Sequence, residues 1–114
     1  MSGMTLEIRD KKDGAIFIVS GRLMYESDSR EFHDKLNEQI AKGAKWFVVD
    51  LSRVIGMSST GLGILIKAHR TAKDKGVALK LASLSDKVHS VLQITRLNSV
   101  FEIYDSVEEA VKSV

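Results

Sequence analysis

Hydrophobic and polar residues alternate at the start of the chain in the way that is typical of β-strands. Residues 4–10 (MTLEIRD) alternate, and a second strand-like segment, residues 15–21 (AIFIVSG), follows Lys12, Asp13 and Gly14. Asp-Gly between two such segments is a strong signal for a tight turn. The pattern therefore predicts a β-hairpin.

The next segment has the apolar spacing of a helix. Asp28 and Glu31 match a capping box, in which two side chains bind backbone N–H groups that the first helical turn leaves free. Gly43 is expected to end this helix. Apolar residues recur at a spacing of four on one face: Phe32, Leu36 and Ile40.

A largely apolar run at residues 45–51 (KWFVVDL) is typical of a central strand that is covered on both faces. The chain is expected to leave this strand at residues 50–52. A second helix is predicted from about residue 60 to residue 75, closed by Gly76. Its predicted inner stripe consists of Leu62, Leu65, Ile66, His69 and Ala72.

The rest of the chain continues to alternate between strands and helices. Strands are predicted at residues 77–82 and 101–104. Ser85 is the expected cap of a third helix, and Ser106 with Glu109 forms a capping box for a fourth. The apolar residues of these two helices are Val88, Val91, Leu92, Val107, Ala110, Val111 and Val114.

The resulting order, β-β-α-β-α-β-α-β-α, predicts an α/β sandwich formed by one domain over residues 1–114. Strands separated by a single helix should be parallel, because each crossover returns the chain right-handed to the sheet. Only the opening hairpin is expected to be antiparallel.

Composition narrows the class of protein. The 114 residues are 44% hydrophobic and 28% charged, as in soluble globular proteins. The net charge of +2 comes from 17 basic and 15 acidic residues without a basic block, so no nucleic-acid partner is expected. The chain has no cysteine, no apolar run near the ~20 residues of a membrane span, and no signal-peptide hydrophobic region. A cytoplasmic protein is therefore expected.

Three adjacent hydroxyls, Ser58, Ser59 and Thr60, stand between the third strand and the second helix. Backbone N–H groups and the helix dipole favour an anion there, but ordinary N-capping also explains one such hydroxyl. A nucleotide phosphate held at Ser59 stays open as an alternative, although the motif contains no lysine or arginine. Gly61 and Gly63 are expected to allow close packing where the helix begins.

Catalytic motifs are missing. Residues 56–60 (GMSST) lack the last glycine of Gly-x-Ser-x-Gly, and residues 60–67 (TGLGILIK) lack the Gly-Lys-Ser/Thr of a P-loop. The histidines, His33, His69 and His89, are too far apart to form a metal site by helical spacing. The sequence therefore indicates a protein that is not an enzyme and that carries no metal or cofactor.

Residues 47–111 (FVVDLSRVIG to DSVEEAV), with GRL at residues 21–23, resemble the STAS domain, and specifically the stand-alone anti-sigma factor antagonists of bacteria. The resemblance extends over nearly the whole chain. It implies a mixed, mostly parallel sheet with helices packed mainly on one face.

The hallmark of this family is Asp-Ser-Ser/Ala-Gly-Leu at the start of the second helix, whose first serine is phosphorylated. Counted back from Gly61 and Leu62, the implied phosphate acceptor is Ser59, with Ser58 and Thr60 as the alternatives. Ser58 takes the place of the aspartate, and Met24 stands where family members often have an acidic residue.

The resemblance also implies a partner-switching function. The unphosphorylated protein binds an anti-sigma factor that is also a serine-protein kinase, and so releases a sigma factor. Phosphorylation weakens that complex, and a serine phosphatase is the other implied partner. The implied partner-binding residues are Gly21, Arg22, Leu23, Met24, Met57, Ser58, Ser59, Thr60, Gly61 and Leu62. The alternative is a STAS module that is not phosphorylated and serves as a scaffold in a signalling assembly or as a subunit of a lipid-transport complex.

Overall fold

The computed structural model describes residues 3–114, and within that range it contains five strands, four α-helices and one short 3₁₀ helix. In chain order these are β1 (Met4–Lys11), β2 (Gly14–Leu23), α1 (Glu26–Ala41), β3 (Trp46–Met57), α2 (Ser59–Lys75), β4 (Ala78–Ala82), α3 (Asp86–Ile94), the 3₁₀ helix (Leu97–Ser99), β5 (Glu102–Tyr104) and α4 (Val107–Lys112). The predicted order of elements is confirmed.

The five strands form one sheet in the order β1-β2-β3-β4-β5. β1 pairs with β2 antiparallel, and every later pair is parallel, as predicted. In the hairpin turn the positive φ angle of 62° belongs to Asp13. Gly14 is needed for a different reason, because a Cβ there would lie 2.2 Å from ring atoms of Trp46.

Helices cover the two faces of the sheet unequally. α1, α2 and α3 pack on one face, where the Phe17 ring meets those of Phe32 and Phe47 edge-on at 5.4 Å each. Among the described residues, the short helix α4 alone covers the other face, on which Ala110 packs in one apolar cluster with Val48. Val48 and its neighbour Val49 on β3 are both fully buried, so the prediction of a strand covered on both faces is confirmed.

The predicted start of the first helix is wrong. α1 begins at Glu26, and Asp28 lies inside its first turn. The Asp28 carboxylate is fully buried and accepts hydrogen bonds from the backbone N–H groups of Gly3 and Met4, at 3.3 Å each. Asp28 therefore ties α1 to the start of β1, a contact between distant residues that local capping patterns cannot reveal.

The third strand is longer than predicted. β3 continues past residues 50–52 to Met57, and α2 begins one residue earlier than expected, at Ser59. The prediction was too short because Ser52 and Arg53 are exposed and the pairing with β2 shifts register twice, which breaks the alternating pattern. As a result, Ser58 alone separates the strand from the helix.

The inner stripe of α2 is only partly as predicted. Leu65 and Ala72 are buried, but Ile64 and Ala68 are buried as well, whereas Leu62, Ile66 and His69 are only partly buried. The predicted ends of the other helices agree better with the structure. Gly76 closes α2 in the left-handed conformation, and the hydroxyls of Ser85 and Ser106 accept the expected backbone hydrogen bonds.

Candidate functional site

The ends of β2 and β3 bring together the two segments that the sequence singles out. Arg22 pairs with Gly56, and Leu23 pairs with Met57. The backbone N–H of Ser58 then donates to the carbonyl oxygen of Leu23 at 3.2 Å. Residues 21–24 and 57–62 therefore lie side by side, and we call these two segments the contact surface.

Ser58 is the residue that caps α2. Its hydroxyl oxygen accepts a hydrogen bond from the backbone N–H of Gly61 at 3.3 Å, and it lies 3.5 Å from the Leu23 carbonyl oxygen, to which it can donate. The hydroxyl is thus engaged with both the helix and the end of β2. Of the three adjacent hydroxyls, this one has a structural role.

Ser59 is the first residue of α2, and its side chain is exposed. Across residues 3–114 no group forms a hydrogen bond with the Ser59 hydroxyl. Thr60 is half-buried, which makes its hydroxyl less accessible. Ser59 is therefore the hydroxyl that a partner or a modifying enzyme can reach most easily.

The two glycines at the start of α2 have different roles. A Cβ on Gly61 would lie 1.9 Å from the carbonyl oxygen of Leu23, so only glycine fits this position. A Cβ on Gly63 would meet nothing within 4 Å. The prediction that both glycines allow close packing is correct for Gly61 and wrong for Gly63.

The apolar residues of the contact surface divide into exposed and packed ones. Met24 is 37% exposed, whereas Met57 and Leu62 are partly buried and pack against the main core. Two neighbouring residues, Tyr25 and Ile55, are also exposed large hydrophobics, Ile55 at 65%. Sequence reasoning missed Ile55 because it treated residues 52–57 as leaving the sheet. Because successive residues of a strand face opposite sides of the sheet, extending the strand to residue 57 places Ile55 on the face opposite the buried Val54.

One buried titratable group lies outside the contact surface. The Nδ1 atom of His33 is 2.8 Å from the carbonyl oxygen of Ser29, which can only accept, so Nδ1 carries the proton. The Nε2 atom is buried and has no hydrogen-bond partner among residues 3–114. Burial lowers the pKa of His33, and nearby Lys67 lowers it further. The hydrogen bond to Ser29 raises the pKa, but by less than burial lowers it. This side chain belongs to the seam between α1 and α2.

Neither a membrane span nor a metal cluster is found in the part of the chain that the structure describes. No helix within residues 3–114 is both long enough and apolar enough to cross a bilayer. The same residues contain no group of three or more histidine, aspartate or glutamate side chains arranged to hold a metal ion.

The class of this domain follows from its fold and from a comparison with known domain families. The STAS domain model matches residues 5–110, and the chain belongs to the STAS domain family. The resemblance of the sequence to this family is thereby confirmed, as is the fold that it implies.

Several proteins to which the chain is similar carry the name anti-sigma factor antagonist. The chain is 31% identical over 78 residues to a candidate anti-sigma factor antagonist of Thermotoga maritima, covering 68% of this chain and 69% of that protein. An anti-sigma factor antagonist from Mycobacterium paratuberculosis has the same fold, with a TM-score of 0.82 at 20% identity, covering 97% of this chain and 93% of that one. The unphosphorylated form of the anti-sigma factor antagonist SpoIIAA aligns with a TM-score of 0.77 at 21% identity, covering 96% and 94%.

Proposed function

We propose that this protein is an anti-sigma factor antagonist whose contact surface binds an anti-sigma factor with serine-kinase activity, and that phosphorylation of Ser59 switches it off. The observation that carries this proposal is the difference between two adjacent hydroxyls. Ser58 is engaged with Gly61 and Leu23, whereas Ser59 is exposed and has no hydrogen-bond partner within the described residues. In this proposal the chain acts in the cytoplasm as a single non-enzymatic domain.

Phosphorylation is expected to act on the complex and to leave the fold intact. A phosphate adds nearly two negative charges, which the N-terminus of a helix tolerates or stabilises by roughly 0.3 to 1 kcal/mol at an exposed site. The same charges would face the partner across the interface. A loss of only about 3 kcal/mol in binding free energy weakens a complex more than a hundredfold, which is enough for a switch.

The test is peptide-level mass spectrometry after incubation with the cognate anti-sigma kinase and ATP. We expect one phosphate, on Ser59, that is absent from Ser59→Ala and removed by the cognate serine phosphatase. Ser58→Ala is the matched control and should still be labelled. Labelling that persists in Ser59→Ala would move the acceptor to Ser58 or Thr60.

A second function is favoured by two features of the sequence. Ser58 stands where the family's aspartate is expected, and Met24 replaces a frequently acidic residue, so a standard kinase would find an altered site. The alternative is a constitutive STAS module in a signalling or lipid-transport assembly. A sulfate transporter family protein of Wolinella succinogenes shares the fold, with a TM-score of 0.75 at 19% identity. Absence of phosphate in a complex that still forms would favour this alternative.

A further inference from the structure

The contact surface contains a single charged side chain. Residues 21–24 (GRLM) and 57–62 (MSSTGL) contribute apolar groups, hydroxyls and glycine backbone, and Arg22 is the only residue among them that carries charge. The two positions at which an acidic residue is expected in the family hold Met24 and Ser58. The surface that is proposed to meet the anti-sigma factor is therefore cationic and has no carboxylate of its own.

The side chain of Arg22 lies beside the end of β3. A Cβ on Gly56, the residue that pairs with Arg22, would lie 3.4 Å from the Cγ and 3.8 Å from the Cδ of Arg22. These are ordinary van der Waals distances, so the aliphatic part of the Arg22 side chain lies beside Gly56 on the neighbouring strand. Ser58, the cap of α2, follows Gly56 by two residues.

Arg22 has no ion-pair partner within residues 3–114. The ion pairs that the structure describes involve other residues, such as Arg9 with Glu7 and Lys80 with Glu102. Arg22 is also exposed, so its guanidinium is available to a second molecule. An arginine fork that carries five N–H donors matches the geometry of a carboxylate and can bind it through two parallel hydrogen bonds.

We infer that the partner's matching surface is acidic, with a carboxylate that pairs with Arg22 beside an apolar patch that covers Met24. This inference rests on the proposed function and adds the chemistry of the partner. It also explains how a phosphate on Ser59 could break the complex without the family's aspartate. The phosphate would repel the partner's carboxylate and would compete for the same guanidinium.

The test is calorimetric titration of the protein with each anti-sigma kinase encoded in its own genome, produced as a recombinant protein. Arg22→Gln removes the charge from the contact surface. Arg70→Gln is the matched control, because Arg70 is exposed on α2 about three turns from Ser59. Glu26→Gln, an exposed acid at the start of α1 beside the contact surface, tests the sign of the effect.

We expect Arg22→Gln to weaken binding about 5- to 30-fold at low ionic strength, with a smaller difference in high salt, because an interfacial ion pair is screened. Arg70→Gln should bind like the wild type, and Glu26→Gln should bind equally well or more tightly. Wild-type binding that Arg22→Gln leaves unchanged would overturn the inference and keep the proposed function. Tighter binding by Arg22→Gln and weaker binding by Glu26→Gln would indicate a basic partner and would also overturn it. Failure of the wild type to bind any of these kinases would contradict the proposed function itself.

Discussion

The carbonyl oxygen of Leu23 occupies the space that a side chain at position 61 would need. The distance from this oxygen to a Cβ built on Gly61 is 1.9 Å, far below any real contact. The same carbonyl oxygen accepts the backbone N–H of Ser58. The start of α2 is therefore packed directly onto the end of β2, and this contact fixes the positions of the hydroxyls at residues 58–60.

Replacing Gly61 should damage the fold, whereas replacing Gly63 should not. Gly61→Ala forces backbone atoms of β2 and α2 apart, and we expect it to lower the free energy of unfolding by about 2 to 3 kcal/mol, in the range of overpacked cores. Gly63→Ala is the matched control, because a Cβ there meets nothing within 4 Å. It should raise stability by up to about 1 kcal/mol, since alanine favours helix over glycine. Urea denaturation measures both, and equal stabilities for the two variants would contradict the packing argument.

The adjacent serines should differ in their effect on stability. Ser58→Ala removes the cap of α2 and should lower the free energy of unfolding by about 1 kcal/mol. Ser59→Ala removes an exposed hydroxyl without a partner in the described chain, so the free energy of unfolding should change by less than about 0.5 kcal/mol. Ser58→Asp keeps a good capping residue and should restore the stability lost in Ser58→Ala. Thermal and urea unfolding of the three variants measure these differences. A larger loss of stability in Ser59→Ala than in Ser58→Ala would show that Ser58 is not the capping residue.

A negative charge at position 59 should separate stability from binding. We expect Ser59→Asp to leave the thermal midpoint nearly unchanged, because a carboxylate in the first helical turn is compatible with the helix dipole. Binding to the anti-sigma kinase should weaken sharply, and calorimetry of the folded variant measures this. If Ser59→Asp unfolds the domain, the argument that the charge acts only on the complex is wrong.

Met24 should tolerate a carboxylate in the free protein but not in the complex. Its side chain is 37% exposed, so Met24→Glu should change the free energy of unfolding by less than about 0.5 kcal/mol. In the proposed complex it would place a negative charge opposite an acidic partner and weaken binding. Gln93→Glu, an exposed change on α3 outside the contact surface, adds the same single negative charge and is the matched control for net charge. Unchanged binding by Met24→Glu would exclude position 24 from the interface.

His33 should make stability depend on pH below neutrality. Its pKa in the folded protein is lower than the unfolded value of 6.5, because burial disfavours the charged ring. Well above pH 6.5 the ring is neutral in both states and does not alter stability. As the pH falls below 6.5, the unfolded state takes up a proton first, so stability falls until the folded pKa is passed.

The measurement is the free energy of unfolding from urea titrations between about pH 7.5 and 5.5, where one proton changes it by at most about 1.4 kcal/mol per pH unit. His33→Gln should remove the part of the slope that is due to this ring. His89→Gln is the matched control, because His89 is exposed on α3. An equal slope in wild type and His33→Gln would show that His33 does not contribute.

Local signals predicted much of this fold, and contacts between distant residues account for what was missed. Capping by Ser85 and Ser106 depends on residues three positions apart, so it can be read from the sequence. The role of Asp28 depends on backbone groups at the start of β1, which no local pattern connects to α1. An acidic residue in the first turn of a helix looked like a cap because both situations place a carboxylate near free N–H groups.

The residues of the candidate site could be predicted from the sequence, but the role of each hydroxyl within it could not. The family resemblance placed residues 21–24 and 57–62 in one surface, and the paired ends of β2 and β3 bring these segments together. Which hydroxyl caps the helix could not be read from three adjacent hydroxyls, because each is a good capping residue. The decision depends on where β3 ends, and the two register shifts in its pairing with β2 hide that point from the sequence.

The direct passage from β3 into α2 has a consequence for any enzyme that modifies this chain. Only Ser58 joins the two elements, and its backbone N–H and its hydroxyl are both held, so the segment cannot be drawn out as an extended strand without unfolding its surroundings. A kinase that phosphorylates Ser59 would have to recognise a folded epitope rather than a linear motif. A synthetic peptide of the same sequence would then be a poor substrate, and specificity between related pathways would be set by the shape of the domain.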